Sequence, residues 1–359
     1  MLSGNLYFYG MKIYDALFFK TARIALVLTL LVILAGSVVR VTQSGMGCPD
    51  WPRCFGYYIP PTQDAEVYFR PGFSYKSGMM VIERDTLWRA NSDFTASTAF
   101  DVADWEKYPK HDYATFVVYQ TWVEYINRLL GALLGLVILA LVLFSFRLRK
   151  QRPALVLFSF VLLVLTGFQA WLGKLVVDGN LIPQSISIHM LAALVILWVL
   201  LLVLDRNHSA MPGLSNKVVA YLALSLVGIS TIQILIGTQV REEIDEIAHV
   251  MGYENRAGWI DALSSVFTLH KVFSLAVVSI SVFLILQMRQ LQNLMFRKLS
   301  LAVGSVVGME IALGFIMSYA EVPRFAQSLH LLFATVLFCV AGRIYLVARK
   351  STTSIVAIE

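Results

Sequence analysis

Eight long apolar runs constrain the fold of this chain more than any other feature. They lie near 22–40, 116–146, 154–176, 185–204, 217–239, 262–288, 299–319 and 326–347. A helix needs about 20 mostly apolar residues to cross a hydrocarbon layer of roughly 30 Å, and no run alternates apolar and polar residues as a barrel strand does. With 58% hydrophobic and only 14% charged residues, the chain is predicted to be an all-α membrane protein with eight transmembrane helices.

The distribution of lysine and arginine predicts the orientation of these helices, because basic residues favour cytoplasmic loops. The basic connections are 147–153, 205–217 and 289–298, together with both chain ends. The remaining connections, which then face outward, are 41–115, 177–184, 240–261 and 320–325, the third of them acidic. The net charge of +6 is dispersed among loops that flank the membrane, so it predicts topology beside membrane lipid and does not indicate a nucleic-acid partner.

Helices 1–4 resemble helices 5–8 in sequence. The corresponding segments are GSVVR (36–40) and GTQVR (237–241), WLG (171–173) and ALG (312–314), and NR (127–128) and HK (270–271). His189 and His330 each lie sixteen positions after the glycine of the second pair. Four helices per half is an even number, so the sequence predicts two parallel-repeat four-helix bundles. Their bounds are 22–204 and 205–347, between a cytoplasmic N-terminus, 1–21, and a cytoplasmic tail, 348–359.

Three histidines fall inside predicted helices at similar depth near the outer ends. They are His189, His270 and His330. Polar groups inside a membrane are costly and are functional candidates, although a histidine can also simply hydrogen-bond a neighbouring helix. Two imidazoles from facing helices suit a six-coordinate, low-spin haem, and His270 and His330 fit that arrangement. Zinc is a weaker interpretation, because the sequence offers no third and fourth ligand at this depth.

The first half departs from this pattern at the position that corresponds to His270. Asn127 stands there, and because an amide is a poor iron ligand, an iron held by His189 keeps an open axial position. Glu124 lies one turn before Asn127 on the same helix face. Next to an open iron site, this carboxylate is a candidate general base, water-positioning group or proton carrier. The alternative is an ion pair between Glu124 and Arg128, its i+4 neighbour, and the two interpretations are compatible.

Two arginines and three cysteines complete the candidates. Arg40 and Arg241 end helices 1 and 5 and either bind haem propionates or anchor the helix ends at the interface. Cys48 and Cys54 lie in an outward loop, where a disulfide is permitted; exposed short-loop disulfides are often labile, so the pair is either redox-active or a structural staple. Cys339 is interpreted as a core residue.

The remaining histidines fall in loops or at helix ends. They are His111, His208 and His249. We interpret them as solvated side chains, because none of them lies within a predicted membrane span.

Taken together, these motifs resemble the haem A synthase family over about residues 22 to 347. The matching segments are GSVVRVTQSGMGCPDWPRC (36–54), EYINRLLG (124–131), QAWLGKLVV (169–177), TLHK (268–271) and SLH (328–330). The resemblance implies a duplicated eight-helix bundle in the bacterial inner membrane, with both termini cytoplasmic and the haem sites toward the outer side. It also implies a haem b held by His270 and His330 and a haem O substrate site in the first half.

The resemblance further implies a catalytic residue at Glu124, a redox-active pair at Cys48 and Cys54, and as partners a haem O synthase and terminal oxidase assembly factors. Many family members have histidine where this chain has Asn127. That departure leaves His189 as the one histidine of this pair for the substrate and puts a mechanism with two histidines in doubt.

These observations predict a haem A synthase, an oxidoreductase that acts on a CH₃ group. It oxidises a methyl group of haem O to formyl by successive hydroxylations with water-derived oxygen, and electrons leave through haem b. Two alternatives stay open. One is a di-haem cytochrome b-type quinone or disulfide oxidoreductase, against which Asn127 argues. The other is a non-enzymatic haem-binding protein for oxidase assembly.

Overall fold

The computed structural model describes residues 2–109, 115–178, 185–207, 215–253 and 256–349, without the side chains of 2–12, 176–178 and 185. His111 and His208 lie outside the described residues. His249 lies in the last turn of a long helix and is exposed, which agrees with its interpretation as a solvated side chain.

Eight long helices make up most of the described chain. They are α1 (Leu2–Val41), α2 (Val118–Arg147), α3 (Pro153–Asp178), α4 (Ser185–Asp205), α5 (Lys217–Met251), α6 (Ser265–Gln290), α7 (Leu294–Tyr319) and α8 (Arg324–Ala348). Each is long and apolar enough to cross a membrane. The predicted all-α membrane fold with eight spans is confirmed, whereas the parallel repeat of two four-helix halves stays a prediction.

Several helices begin at residues whose side chains accept hydrogen bonds from otherwise unpaired backbone N–H groups. Asn216 precedes α5 and accepts from Val219 N at 3.0 Å. Asn293 precedes α7 and accepts from Met295 N at 2.9 Å. These caps end the basic connections and begin the apolar spans.

Helix α5 is longer than its apolar run predicted. The sequence placed its end at 239, but the helix continues to Met251 and ends at Gly252, whose φ of +91° suits glycine. Ile244 and Ala248 are buried in a cluster with Trp259 and Val322. The acidic part of the predicted connection 240–261 is therefore largely helical, because charged residues can end an apolar run while still alternating with buried positions of a helix.

The long connection between α1 and α2 contains short strands that the sequence did not predict. They are β1 (Ser74–Tyr75), β2 (Met80–Glu83), β3 (Thr86–Ala90), β4 (Phe94–Thr95) and β5 (Trp105–Lys107). Strand β3 pairs antiparallel with β2 and β5, and β1 pairs with β4. The β2–β3 turn has two central residues, Arg84 and Asp85, with φ of 52° and 55°. Positive φ at both positions is the geometry of a type I′ hairpin.

By its internal contacts the chain divides into two compact units. The larger unit contains Met1–Leu34, Leu133–Gln169 and Pro183–Glu359, and the smaller contains Ala35–Ala132 and Ala170–Ile182. In the larger unit, α5 packs on α6 and α8, α7 packs on α6 and α8, and α4 packs on α5 and α8. A second core joins parts of α1, α2, α3 and α4 around Phe18, Ile138, Leu162 and Leu200.

The smaller unit has two cores of its own. One surrounds Cys48 and Cys54 with Phe55, Val67 and Tyr108. The other gathers the aromatic residues of the strands around Tyr75 and Trp105.

Many large apolar side chains of the helices are exposed. Leu136, Leu275 and Phe315 are 60% or more accessible. A soluble monomer rarely exposes contiguous apolar surface of this kind, so these faces are suited to lipid and the protein is an integral membrane protein.

Candidate functional site

The two histidines of the second half face each other within the larger unit. His270 lies in the second turn of α6 and His330 in the second turn of α8. Their ring centres are 6.3 Å apart and their planes are inclined by 66°. Since a metal–imidazole nitrogen bond is about 2 Å long, two ring centres on opposite sides of one metal lie about 6 Å apart. The spacing of the pair therefore fits a bis-imidazole haem.

Helix α5 shapes the surroundings of His270. Gln233 Nε2 donates to the backbone carbonyl of His270 at 3.1 Å and lies 3.2 Å from its Nδ1. One turn later, a Cβ on Gly237 would lie 3.2 Å from Cε1 of the ring. Because Gly237 has no side chain, the imidazole ring of His270 has room beside α5. Gly237 therefore has a packing role in addition to its place in the sequence repeat.

Helix α7 supplies a residue that the sequence analysis missed. Oε2 of Glu310 lies 3.1 Å from Nδ1 of His330. The two atoms are in contact, but their angle is not that of a hydrogen bond, and Oε1 of Glu310 has no hydrogen-bond partner among the described residues. The sequence feature that could have identified Glu310 is its acidic side chain in the middle of an apolar run, since such a residue is a functional candidate by itself.

His189 also belongs to the larger unit. Gln169 Nε2 donates to its backbone carbonyl at 3.0 Å. Nδ1 of the ring is buried and has no hydrogen-bond partner among the described residues. A buried imidazole nitrogen without a partner is costly unless something else binds the ring, so His189 also fits a ligand for iron.

In the smaller unit, Glu124 is buried, with 3% of its surface exposed. Oε1 accepts a short charge-assisted hydrogen bond from Arg128. Oε2 accepts from the backbone N–H of Cys48 at 2.9 Å. The predicted ion pair between Glu124 and Arg128 is confirmed, and both carboxylate oxygens are held in fixed directions.

The same turns of α2 hold the loop that contains the cysteines. Arg128 donates to the backbone carbonyls of Asp50 at 2.6 Å and Cys48 at 3.1 Å. Thr121 Oγ1 donates to the carbonyl of Gly47 at 2.9 Å. A Cβ on Gly47 would lie 2.7 Å from the backbone of Gln120. The loop therefore lies directly against the helix backbone, and only glycine permits this approach.

Cys48 and Cys54 form a disulfide bond. Both cysteines are fully buried, whereas lability is typical of exposed short-loop disulfides. Phe55, Val67 and Tyr108 cover them, and the Tyr108 hydroxyl donates to the carbonyl of Pro49 at 2.9 Å. The redox activity of this bond stays a prediction.

Asp50 lies at the centre of the loop. Oδ2 accepts from Gly56 N at 3.0 Å. Burial raises the pKa of Asp50 above its ordinary value, and the backbone N–H groups of Gly56 and Phe55 and the charge of Arg128 oppose that rise. A carboxyl with a raised pKa in the folded protein costs stability when it is charged, so its contribution favours folding most at acidic pH and declines as pH rises through that pKa.

The remaining predicted residues lie at helix ends or apart from these clusters. Oδ1 of Asn127 is buried without a hydrogen-bond partner among the described residues and faces Gly36, where a Cβ would lie 3.9 Å away. Arg40 lies in the last turn of α1. Arg241 forms an ion pair with Asp245 at 2.6 Å, so its predicted role toward a propionate stays a prediction, as does that of Arg40.

The structure thus brings together the members of each of two separate groups of predicted residues. It brings His270 together with His330 in the larger unit, and Glu124 together with Arg128 and Cys48 in the smaller. His189 belongs to the larger unit and Asn127 to the smaller.

Comparison with known proteins supplies the family. The COX15-CtaA family, described as cytochrome oxidase assembly protein, matches residues 20–82 and 91–341. The chain belongs to this family. The matched ranges include all the candidate residues above, whereas the turn of the β2–β3 hairpin and the whole of strand β3 fall in the unmatched gap.

Three proteins named heme A synthase are similar to this chain, at 31%, 24% and 21% identity. A protein of Shewanella oneidensis named heme A synthase is 31% identical over 245 residues, which cover 67% of this chain and 62% of the relative. The heme A synthase of Ehrlichia ruminantium is 24% identical over 88% of both chains. That of Rickettsia prowazekii is 21% identical over 91% of this chain and 97% of the relative. The alignment with the first of these proteins thus spans less than two thirds of its length.

Proposed function

We propose that this family member is a haem A synthase, an oxidoreductase that oxidises a methyl group of haem O to a formyl group by successive hydroxylations. The observation that carries the proposal is the match to proteins named heme A synthase along most of the chain. The facing histidines of the larger unit support it, because such an enzyme needs a site for haem as well as a site for its substrate.

In this proposal the imidazole side chains of His270 and His330 would hold haem b. Haem b supplies one-electron transfer when it is bound. Gln233 holds the backbone of His270, and Gly237 leaves room for its ring. Arg241 is proposed to bind a haem b propionate by exchanging part of its pairing with Asp245.

The substrate haem O is proposed to bind through His189, whose buried Nδ1 has no hydrogen-bond partner among the described residues. Asn127, Arg128 and Arg40 are proposed to line the substrate site. Glu124 is proposed as the catalytic residue that positions water or carries protons. Each of its carboxylate oxygens accepts a hydrogen bond, which supports this role, because a carboxylate in a fixed orientation loses little entropy when it orients a reactant.

The proposed setting is the bacterial inner membrane, with both termini in the cytoplasm and the haem sites toward the outer side. The basic connections between helices support this orientation. A haem O synthase that delivers the substrate and terminal oxidase assembly factors that accept the product are the proposed partners.

Product analysis tests this function. The full chain is co-expressed with a source of haem O in cells that lack their own haem A, and the haems are extracted and separated. We expect formyl-bearing haem A. Haem B or unchanged haem O alone would contradict the proposal and would favour a di-haem oxidoreductase or a non-enzymatic haem-binding protein. A strain with the haem O source but without the chain is the control.

A further inference from the structure

Glu310 is an acidic residue in the middle of the membrane-spanning helix α7. Its side chain is largely buried, and Oε2 lies 3.1 Å from Nδ1 of His330. Among the described residues no lysine or arginine pairs with this carboxylate. A carboxyl group at such a position is costly, and it persists where it has a specific partner or task.

The internal sequence comparison gives Glu310 a counterpart in the first half. Glu310 lies four residues before Gly314, and Gln169 lies four residues before Gly173, in the register that aligns His330 with His189. Both residues contact the histidine of their own half, since Gln169 donates to the backbone carbonyl of His189. The position is therefore occupied by a neutral amide beside the proposed substrate ligand and by an acid beside the proposed haem b ligand.

We propose that Glu310 is a positioning residue that accepts a hydrogen bond from Nδ1–H of His330 and so presents Nε2 of that ring to haem b. The proposal rests on the proposed function, because it takes His330 as an iron ligand. The 3.1 Å between Oε2 and Nδ1 is within hydrogen-bonding distance, and the angle alone departs from hydrogen-bond geometry. A histidine that binds a metal through one nitrogen almost always donates from the other, and that second partner fixes the tautomer and the ring orientation.

The charge of the partner distinguishes the two axial ligands. His270 has the neutral amide of Gln233 at its ring edge, whereas His330 has a carboxylate. A hydrogen bond to a carboxylate is roughly twice as strong as a neutral one, and it makes the imidazole a more electron-donating ligand. An ionised Glu310 beside His330 would stabilise the oxidised form of haem b and lower its reduction potential, which would make the reduced haem a stronger electron donor.

A redox titration of the purified full-length protein tests this role. The variant Glu310→Gln introduces the residue type found at the corresponding position of the first half and keeps an acceptor oxygen without the charge. We expect the low-spin spectrum to persist and the ratio of reduced to oxidised haem b at a fixed potential to rise about tenfold, which corresponds to about 59 mV for one electron. Glu310→Leu, which removes the acceptor, should in addition broaden the electron paramagnetic resonance signal of the low-spin iron.

Met309→Leu is the matched control, because Met309 is the adjacent residue on α7 and is 44% exposed. Its potential should equal that of the unmodified protein. An unshifted potential and an unchanged resonance signal in both Glu310→Gln and Glu310→Leu would overturn the proposal. If these two variants do not accumulate, Glu310→Asp shortens the carboxylate by one methylene, and a potential identical to that of the unmodified protein would overturn it equally.

His330→Ala separates this inference from the ligand assignment on which it rests. A low-spin haem b spectrum that survives this change would contradict the assignment of His330 itself. A spectrum that is lost in His330→Ala, combined with no effect of the Glu310 variants, would refute only the role of Glu310.

Discussion

Glu124 has both a structural and a proposed chemical task. Its carboxylate pairs with Arg128 and accepts the N–H of Cys48. Truncation to alanine would remove the carboxylate partner of Arg128 in a largely buried site and leave it only backbone carbonyls, at a cost of about 3–5 kcal/mol. A loss of activity in that variant would therefore not separate catalysis from folding, and an isosteric change is the sharper test.

We expect Glu124→Gln to lower haem A formation by at least about 100-fold, the usual worth of a positioned acid or base. The amide retains the shape of the side chain and one acceptor oxygen, so it keeps one of the two hydrogen bonds, and the low-spin haem b spectrum should persist. Extracted haems report the product and an optical spectrum reports haem b. Ile126→Ala is the control, since Ile126 lies two residues away on α2 and is 49% exposed. Undiminished product in Glu124→Gln would mean that the residue is structural.

Gly237 allows a second test with a control on the same helix. A valine side chain at Gly237 would press on the His270 ring, because even a Cβ there lies 3.2 Å from Cε1. At Gly228, also in α5, nothing lies within 4 Å of an added Cβ. Gly237→Val should reduce the haem b content per protein severalfold, while Gly228→Val retains it. Equal haem content in the two purified variants would show that the space beside His270 is not needed.

At the scale of elements, helix α2 and the disulfide loop form one assembly. Thr121, Glu124 and Arg128 lie on one face of α2 and each bonds the backbone of the loop. The proposed catalytic carboxylate and the cysteine pair are therefore fixed by the same contacts. A substitution that moves the loop is therefore expected to shift the side chain of Glu124 as well.

Gly47→Ala should loosen this assembly. The added methyl would meet the backbone of Gln120 at 2.7 Å, and overpacking of this kind costs about 1–3 kcal/mol. We expect the Cys48–Cys54 bond to be reduced by dithiothreitol about tenfold faster, as followed by alkylation of the released thiols. Gly131→Ala is the control, because nothing lies within 4 Å of an added Cβ at that position of α2. Equal reduction rates would show that the close approach of Gly47 does not protect the bond.

The secondary-structure elements could be predicted from the sequence where one hydrophobic pattern is enough to define them. The eight spans follow from their apolar length, but the end of α5 does not, because Glu242 to Ala248 are mixed in polarity and still present Ile244 to a core. The β2–β3 hairpin escaped prediction because its turn, Arg84-Asp85, lacks the glycine or asparagine that usually marks positive φ. In both cases contacts distant in sequence outweighed the local pattern.

At the scale of the whole molecule, orientation in the membrane is a prediction from the basic loops. Cys339, the one cysteine outside the disulfide, is buried, so an introduced cysteine can be labelled selectively. Ser92→Cys lies in the predicted outer connection and Gln151→Cys in a predicted cytoplasmic one, and both positions are exposed. A membrane-impermeant maleimide should label Ser92→Cys in cells with a permeabilised outer envelope and Gln151→Cys only after lysis. The reverse result would invert the topology.

The candidate site could be predicted from the sequence where corresponding residues recur in the two halves of the chain. Comparison of the halves identified His270 and His330 as a pair, and the structure places their rings 6.3 Å apart. It did not reveal Glu310, because a single acid barely changes the apolar character of its run, nor Gln233, whose importance depends on which way α5 faces α6. Residues that act through a neighbour leave no motif of their own.

The burial of the disulfide also determines how the native protein responds to thiol reagents. The chain has three cysteines, of which two are bonded and one is enclosed in the core. An impermeant alkylating reagent therefore finds no reactive thiol on the folded protein until the Cys48–Cys54 bond, in the predicted outer loop, is reduced. The alkylated fraction in living cells then counts the molecules whose bond is open, and this count can be followed as growth conditions change, without any substitution in the chain.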